Sequence, residues 1–182
     1  MVWIILAVVL VILVIYVIST YNSLVNLRNK VQDQWSQIDV LLKRRADLIP
    51  NLVETVKGYA KHEEGTLEAV ISARNKAVTA TSKDDEMKAN SELSGALTKL
   101  FALAEAYPDL KANTNFMDLQ SNLKDTEDKI SYARQFYNDN AKDLKNKVEM
   151  FPSNIVAGMF GFKAESFFQV DEKDKEVPTV KF

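Results

Sequence analysis

Residues 2–20 read VWIILAVVLVILVIYVIST, an apolar run that no charged side chain interrupts. As a helix it would be about 28 Å long, close to the roughly 30 Å hydrocarbon core of a bilayer. A cleaved signal peptide would instead show a basic start, a shorter apolar core and a small-residue cleavage site. We therefore predict a retained transmembrane helix over residues 1–20. Its expected interfacial anchors are Val2, Trp3, Tyr16 and Tyr21.

The charges that flank this run predict its orientation. No Lys or Arg precedes it, whereas Arg28 and Lys30 follow it closely. The positive-inside rule places the basic side in the cytoplasm. We expect a single-pass protein of the cell membrane, with a short N-terminus outside and a C-terminal bundle in the cytoplasm.

The overall composition excludes several classes of protein. The chain of 182 residues carries 23 basic and 25 acidic residues, which argues against a broadly basic nucleic-acid binder. It contains no cysteine, so disulfides, thiolate metal sites and a cysteine nucleophile are excluded. Its 5 glycines and 4 prolines are too few for a loop-rich all-β protein.

Apolar residues after the span recur at spacings of three and four, the period of an amphipathic helix with coiled-coil-like regularity. In the first segment they are Leu24, Leu27, Val31, Trp35, Ile38, Leu41, Leu48, Leu52, Val56 and Tyr59. We predict a helix over residues 21–58 that continues from the span. Pro50 lies inside it without an N–H, so we expect a kink or a lost hydrogen bond near Ala46.

Three further helices are predicted, over residues 62–80, 85–107 and 114–150. Their connections are short, no strand-like alternation competes, and Thr114 or Asn115 is placed to cap the last helix. Short connections make consecutive helices antiparallel. The predicted fold class is all-α: an N-terminal transmembrane helix continuing into a long antiparallel four-helix bundle, up-down-up-down, over residues 21–151.

The C-terminal part of the chain divides into an apolar and a charged segment. The up-down path returns the Phe-rich residues 152–170 to the base of the first helix. They form either an amphipathic element at the lipid interface or a cap on the bundle core. The side chains available for membrane or partner contact are Phe151, Ile155, Phe160 and Phe162. Residues 171–182 alternate in charge and are predicted to be a mobile tail.

Several stretches of the chain resemble the LemA family. The longest reads YNSLVNLRNKVQDQWSQIDVLLKRRADLIPNLVETVKGYAKHE over residues 21–63, and FPSNIVAGMFGF over residues 151–162 is another. Shorter ones are residues 73–75, YPDLKAN over residues 107–113 and YARQFYNDNAKDLK over residues 132–145. The resemblance implies an N-terminal span and a cytoplasmic helical bundle. The family is similar to a magnetosome-membrane protein, which implies a part in membrane organisation, and it supplies no catalytic residue.

The residues themselves carry no recognisable catalytic or metal-binding motif. His62 is the only histidine, and a lone histidine in a turn is typical of a surface residue. A phosphate-binding glycine loop, a G-x-S-x-G elbow and an H-E-x-x-H pair are all missing from the sequence. We therefore expect no enzyme activity, no cofactor and no metal site.

Two arginines interrupt the apolar seams of the helices. Arg45 lies between Leu41 and Leu48, and Arg74 lies between Ile71 and Val78. A guanidinium buried there needs a carboxylate, for which Glu92, Glu105 and Glu127 are the candidates. The alternative is that both side chains extend to the surface along their apolar stems.

An anchor, a long stalk and the lack of a catalytic motif favour a membrane-anchored scaffold or adaptor. The alternative is a membrane-tethered sensor or regulator whose bundle binds a small ligand or a partner protein. Expected partners are the lipid bilayer and a second copy of the chain, bound through the helices or the Phe-rich segment. A further protein partner is not identifiable from the residues, and nucleic acid is not expected.

Overall fold

The computed structural model describes residues 1–168, which form helices and their connections without any β-strand. The helices are α1 (Val2–Tyr59), α2 (Glu64–Thr79), α3 (Lys83–Ala104), α4 (Pro108–Lys111), α5 (Thr114–Glu149) and α6 (Ser153–Met159). The prediction of an all-α protein is confirmed. The up-down-up-down path stays a prediction, and the predicted mobile tail over residues 171–182 lies outside the described part of the chain.

Helix α1 is continuous from the apolar run through the predicted stalk. Its N-terminal part is the one stretch of the described residues long and apolar enough to cross a membrane. The side chains of that stretch have almost no protein cover, as Val2, Trp3 and their apolar neighbours are exposed. Apolar side chains on every side of a helix are typical of one that is surrounded by lipid.

The helix ends differ in detail from those expected. The third helix stops at Ala104, because Pro108 starts the separate short helix α4 as its first residue. Neither Thr114 nor Asn115 caps α5. The preceding Asn113 does so, with its side-chain oxygen accepting the Phe116 N–H at 3.0 Å.

The chain divides into two compact units, and the long helices α1 and α5 contribute to both. Unit 2 contains residues 38–132. Its core joins apolar side chains from α1, α2, α3, α4 and α5, including Leu52, Val70, Leu93, Leu100, Leu110 and Phe116. The predicted heptad positions Leu52 and Val56 are fully buried there.

Unit 1 contains residues 1–37 and 133–167. Its buried side chains come from α1, α5 and α6, and they include Leu24, Val31, Trp35, Tyr137, Leu144, Val156 and Ala157. The rings of Trp35 and Tyr137 meet edge to face at 5.5 Å between centroids. The Tyr137 hydroxyl donates to the Ser166 carbonyl at 3.0 Å, which holds the chain beyond α6 on this unit.

Candidate functional site

Arg45 is the most deeply buried charged group that the structure describes, with 0% of its surface exposed. Its Nη1 donates to Glu127 Oε2 on α5 and to Ser94 Oγ on α3, the latter at 2.8 Å. Its Nη2 donates to Asn90 Oδ1 at 2.7 Å and to the Asn90 carbonyl at 3.2 Å. One guanidinium of α1 therefore joins α3 and α5 inside unit 2.

The polar side chains around Arg45 form hydrogen bonds with one another rather than facing an open cleft. Asn90 also donates from Nδ2 to the Glu86 carbonyl at 2.9 Å, which fixes its amide. The Ser94 hydroxyl lies 3.1 Å from the Asn90 carbonyl and 3.2 Å from Glu127 Oε1. Both terminal nitrogens of Arg45 have partners, whereas its Nε is buried without one, so the hydrogen bonds of Nη1 and Nη2 are what tie α1 to α3 and α5.

Arg74 does not have the carboxylate partner that we expected for a buried arginine. It is half-buried, and its Nε donates to the Ala46 carbonyl at 3.3 Å, while Nη1 donates to Asn75 Oδ1 at 3.3 Å. The Ala46 carbonyl is the one that would accept from residue 50, and Pro50 has no N–H to give. Arg74 therefore supplies the Ala46 carbonyl with the hydrogen-bond donor that Pro50 cannot provide within α1.

Two carboxyl groups of unit 2 lie against each other, Asp39 on α1 and Glu86 on α3. Burial, the charge of Asp39 and the hydrogen bond between the two groups together raise the pKa of Glu86 from 4.5 to about 7. Burial also raises the pKa of Asp39, against the lowering effects of that hydrogen bond and the Lys83 charge. The pair holds a proton at a pH where isolated carboxyls are ionised.

This pair contributes stability that is lost as the pH rises. Because the folded state binds the Glu86 proton more tightly than the unfolded chain, its stabilising effect is complete below about pH 4.5 and lost through about pH 7. The unfolding midpoint of Glu86→Gln in mild detergent should therefore fall less between about pH 5 and about pH 8 than that of the natural chain. Lys88→Gln, on the exposed part of the same helix, is the control and should keep the full fall. If the unfolding midpoints of Glu86→Gln and the natural chain change equally with pH, the Asp39–Glu86 pair does not hold the proton.

Residues 152–167 of the Phe-rich segment lie in unit 1, next to the start of the stalk. Phe160 and Phe162 contact the Tyr21 ring edge to face, at 4.7 and 5.7 Å between centroids. The Arg28 guanidinium lies over the Phe162 ring at 5.3 Å. Phe151 and Ile155 are exposed, and the core positions that we considered for them are filled instead by Val156 and Ala157.

The remaining predicted site residues are not brought together. Tyr16 is half-buried, whereas Val2 and Trp3 are exposed at the start of α1. His62 lies exposed in the turn between α1 and α2. Within residues 1–168, no group of three or more His, Asp and Glu side chains is placed to hold a metal ion.

Residues 1–168 define a class: an all-helical protein with one helix able to cross a membrane and a buried arginine that joins three helices of unit 2. The LemA family profile matches residues 34–182, and the chain belongs to the LemA family.

Comparison with individual proteins agrees with this assignment. Protein LemA of Metamycoplasma hominis is 28% identical, over 85% of this chain and 71% of that protein. Magnetosome protein MamQ 2 of Paramagnetospirillum magneticum is 25% identical, over 82% of this chain and 64% of that protein. Magnetosome protein MamQ of Magnetospirillum gryphiswaldense is 24% identical, over 81% and 64%. The chain thus spans slightly less than two thirds of the length of these MamQ proteins.

Proposed function

We propose that this protein is a single-pass, membrane-anchored scaffold or adaptor that contributes to membrane organisation, with its bundle in the cytoplasm. The observation that carries the proposal is the exposure of large apolar side chains on helices outside the span. In unit 2, Val40 is 69% exposed and Tyr132 is 66% exposed. Exposed aromatic residues on a rigid helix are typical anchors of a protein interface.

The polar chemistry of the bundle supports a binding role over catalysis. Arg45, Asn90, Ser94 and Glu127 are engaged with one another, so they hold helices together instead of facing a substrate. Two surface depressions are open faces of single helices, one on α1 and one on α2, and neither encloses a small ligand. Two of the relatives carry the name magnetosome protein, which agrees with a role in membrane organisation.

Photo-crosslinking in intact cells tests this proposal on the full chain. With p-benzoylphenylalanine in place of Tyr132, we expect discrete crosslinked species after illumination. Placing the same group at Lys99, an exposed polar position of the same unit, is the matched control and should give none. A crosslink to a second copy indicates a scaffold, and a crosslink to one other protein indicates an adaptor. If Tyr132 gives no more discrete product than Lys99, the proposed role is wrong.

A further inference from the structure

The segment 150–162 exposes apolar side chains where a water-soluble protein would bury them. Phe151 is 79% exposed and Met159 is 69% exposed, and Met150, Ile155 and Phe160 are exposed as well. These residues are close together in the chain, so the exposure is concentrated in one small element. An exposed apolar cluster of this kind marks a surface that meets a protein or a membrane.

The two faces of α6 show that this exposure is built into the fold. Ser153, Val156 and Ala157 are buried, so one face of the helix is held on unit 1. Ile155 and Met159, four residues apart, share a different face and are both exposed. The helix is thus fixed in place by small side chains while its larger apolar side chains point away from the protein.

The position of the segment along α1 identifies what it faces. The Phe160 ring lies 4.7 Å from the ring of Tyr21, which directly follows the apolar run 2–20. Residue 21 is where a helix that crosses a bilayer through that run leaves the hydrocarbon. Side chains that pack on Tyr21 therefore lie at the depth of the lipid headgroups.

Basic side chains accompany the apolar ones. Lys147 lies in the last turn of α5, Lys163 follows the segment, and Arg28 lies over Phe162. Apolar side chains beside lysine and arginine are the pattern of an element that lies in the interface of an anionic membrane.

We propose that residues 150–162 form a second membrane contact, which inserts Phe151, Ile155 and Met159 into the same leaflet that the span leaves. These side chains contact the lipid surface. The segment is continuous with the span through Tyr21, and this continuity favours lipid over a protein partner. This inference rests on the proposed spanning role of α1. Its consequence is that unit 1 is attached to the membrane at two points, the span and this segment.

Depth-dependent quenching tests the contact on the full chain. Because the protein has no cysteine, Ile155→Cys or Met159→Cys provides a unique site for a fluorescent label. The labelled protein is placed in nanodiscs of phosphatidylcholine and phosphatidylglycerol that carry lipid-borne nitroxides. We expect several-fold stronger quenching by shallow nitroxides, and several-fold weaker quenching by iodide, than for a label in water.

Phe136→Cys is the matched control, since Phe136 is also an exposed aromatic residue of unit 1. Its neighbour Tyr137 contacts Trp35, which lies about 21 Å along α1 from Tyr21, so its label should be open to iodide. A label at Ile155 that behaves like the one at Phe136 overturns the inference. A label protected from both quenchers also overturns it, because protein then covers the face.

A label at Ile12, inside the apolar run, separates this inference from the proposed function. Quenching of Ile12→Cys by deep nitroxides without quenching at Ile155 means that the span is present and the second contact is absent. Loss of quenching at both positions means that the spanning role itself is wrong. Far-UV circular dichroism should show unchanged helix content for every variant, since each replaced side chain is exposed.

Discussion

Glu127→Ala is expected to destabilise the protein by about 3 kcal/mol, which corresponds to a fall of roughly 6–12 °C in the unfolding midpoint for a chain of this size. The reason is that Arg45 is fully buried and would keep its charge without the carboxylate that balances it. The side chain of Glu127 is 42% exposed. The expected loss of stability therefore lies at the lower end of the range for breaking a buried ion pair.

A double-mutant cycle in mild detergent distinguishes the ion pair from simple packing. Arg45→Met should cost less than Glu127→Ala, because the carboxylate left behind reaches water and the apolar methionine fills the seam. The double variant Arg45→Met/Glu127→Ala should be more stable than Glu127→Ala alone, since it has no unpaired buried charge.

The exposed pair Lys76–Glu92 provides the control for this cycle. Its atoms are 2.9 Å apart but both side chains are open to solvent, so Lys76→Ala should cost less than about 1 kcal/mol. If Arg45→Met is neutral or stabilising and Glu127→Ala is also neutral, the buried pair does not hold the helices together.

The spacing of apolar residues was sufficient to predict the helical class and much of the core. Positions such as Ile38, Leu52 and Val56 follow from a period of three and four, and all three are buried. Arg45 could be singled out because it breaks that period, and the requirement for a balancing charge made Glu127 one of three candidates. Choosing among the three needs the rotation of α3 and α5 about their axes, which spacing within one helix does not contain.

The polar residues around Arg45 carry a weaker signal. Asn90 lies three residues before Leu93 and seven before Leu97, so it continues the seam of α3, but it is polar and a pattern of apolar residues does not include it. The carboxyl pair Asp39 and Glu86 leaves no local trace, because its members are 47 residues apart and look like ordinary solvated acids. Such pairs depend on how two helices pack, and that packing is a property of the whole unit.

Pro50→Ala is expected to stabilise the protein by about 2 kcal/mol. A proline inside a helix costs about 3 kcal/mol through its missing N–H and its clash with the preceding turn, and alanine removes both effects. Pro50 is exposed, so no packing is lost, and the restored N–H can bond to the Ala46 carbonyl. The donation from Arg74 already offsets part of the cost, which keeps the expected gain below the full value.

The relation between Pro50 and Arg74 makes this prediction testable in two ways. The unfolding midpoint of Pro50→Ala should rise by roughly 4–8 °C, whereas Asn51→Ala at the next exposed position should change it much less. Arg74→Met should cost about 1 kcal/mol in the natural chain, because the buried Ala46 carbonyl loses its donor. Arg74→Met should destabilise the Pro50→Ala variant clearly less, because the N–H of residue 50 again donates to the Ala46 carbonyl. Equal costs for Arg74→Met in both backgrounds would show that Arg74 does not compensate for the proline.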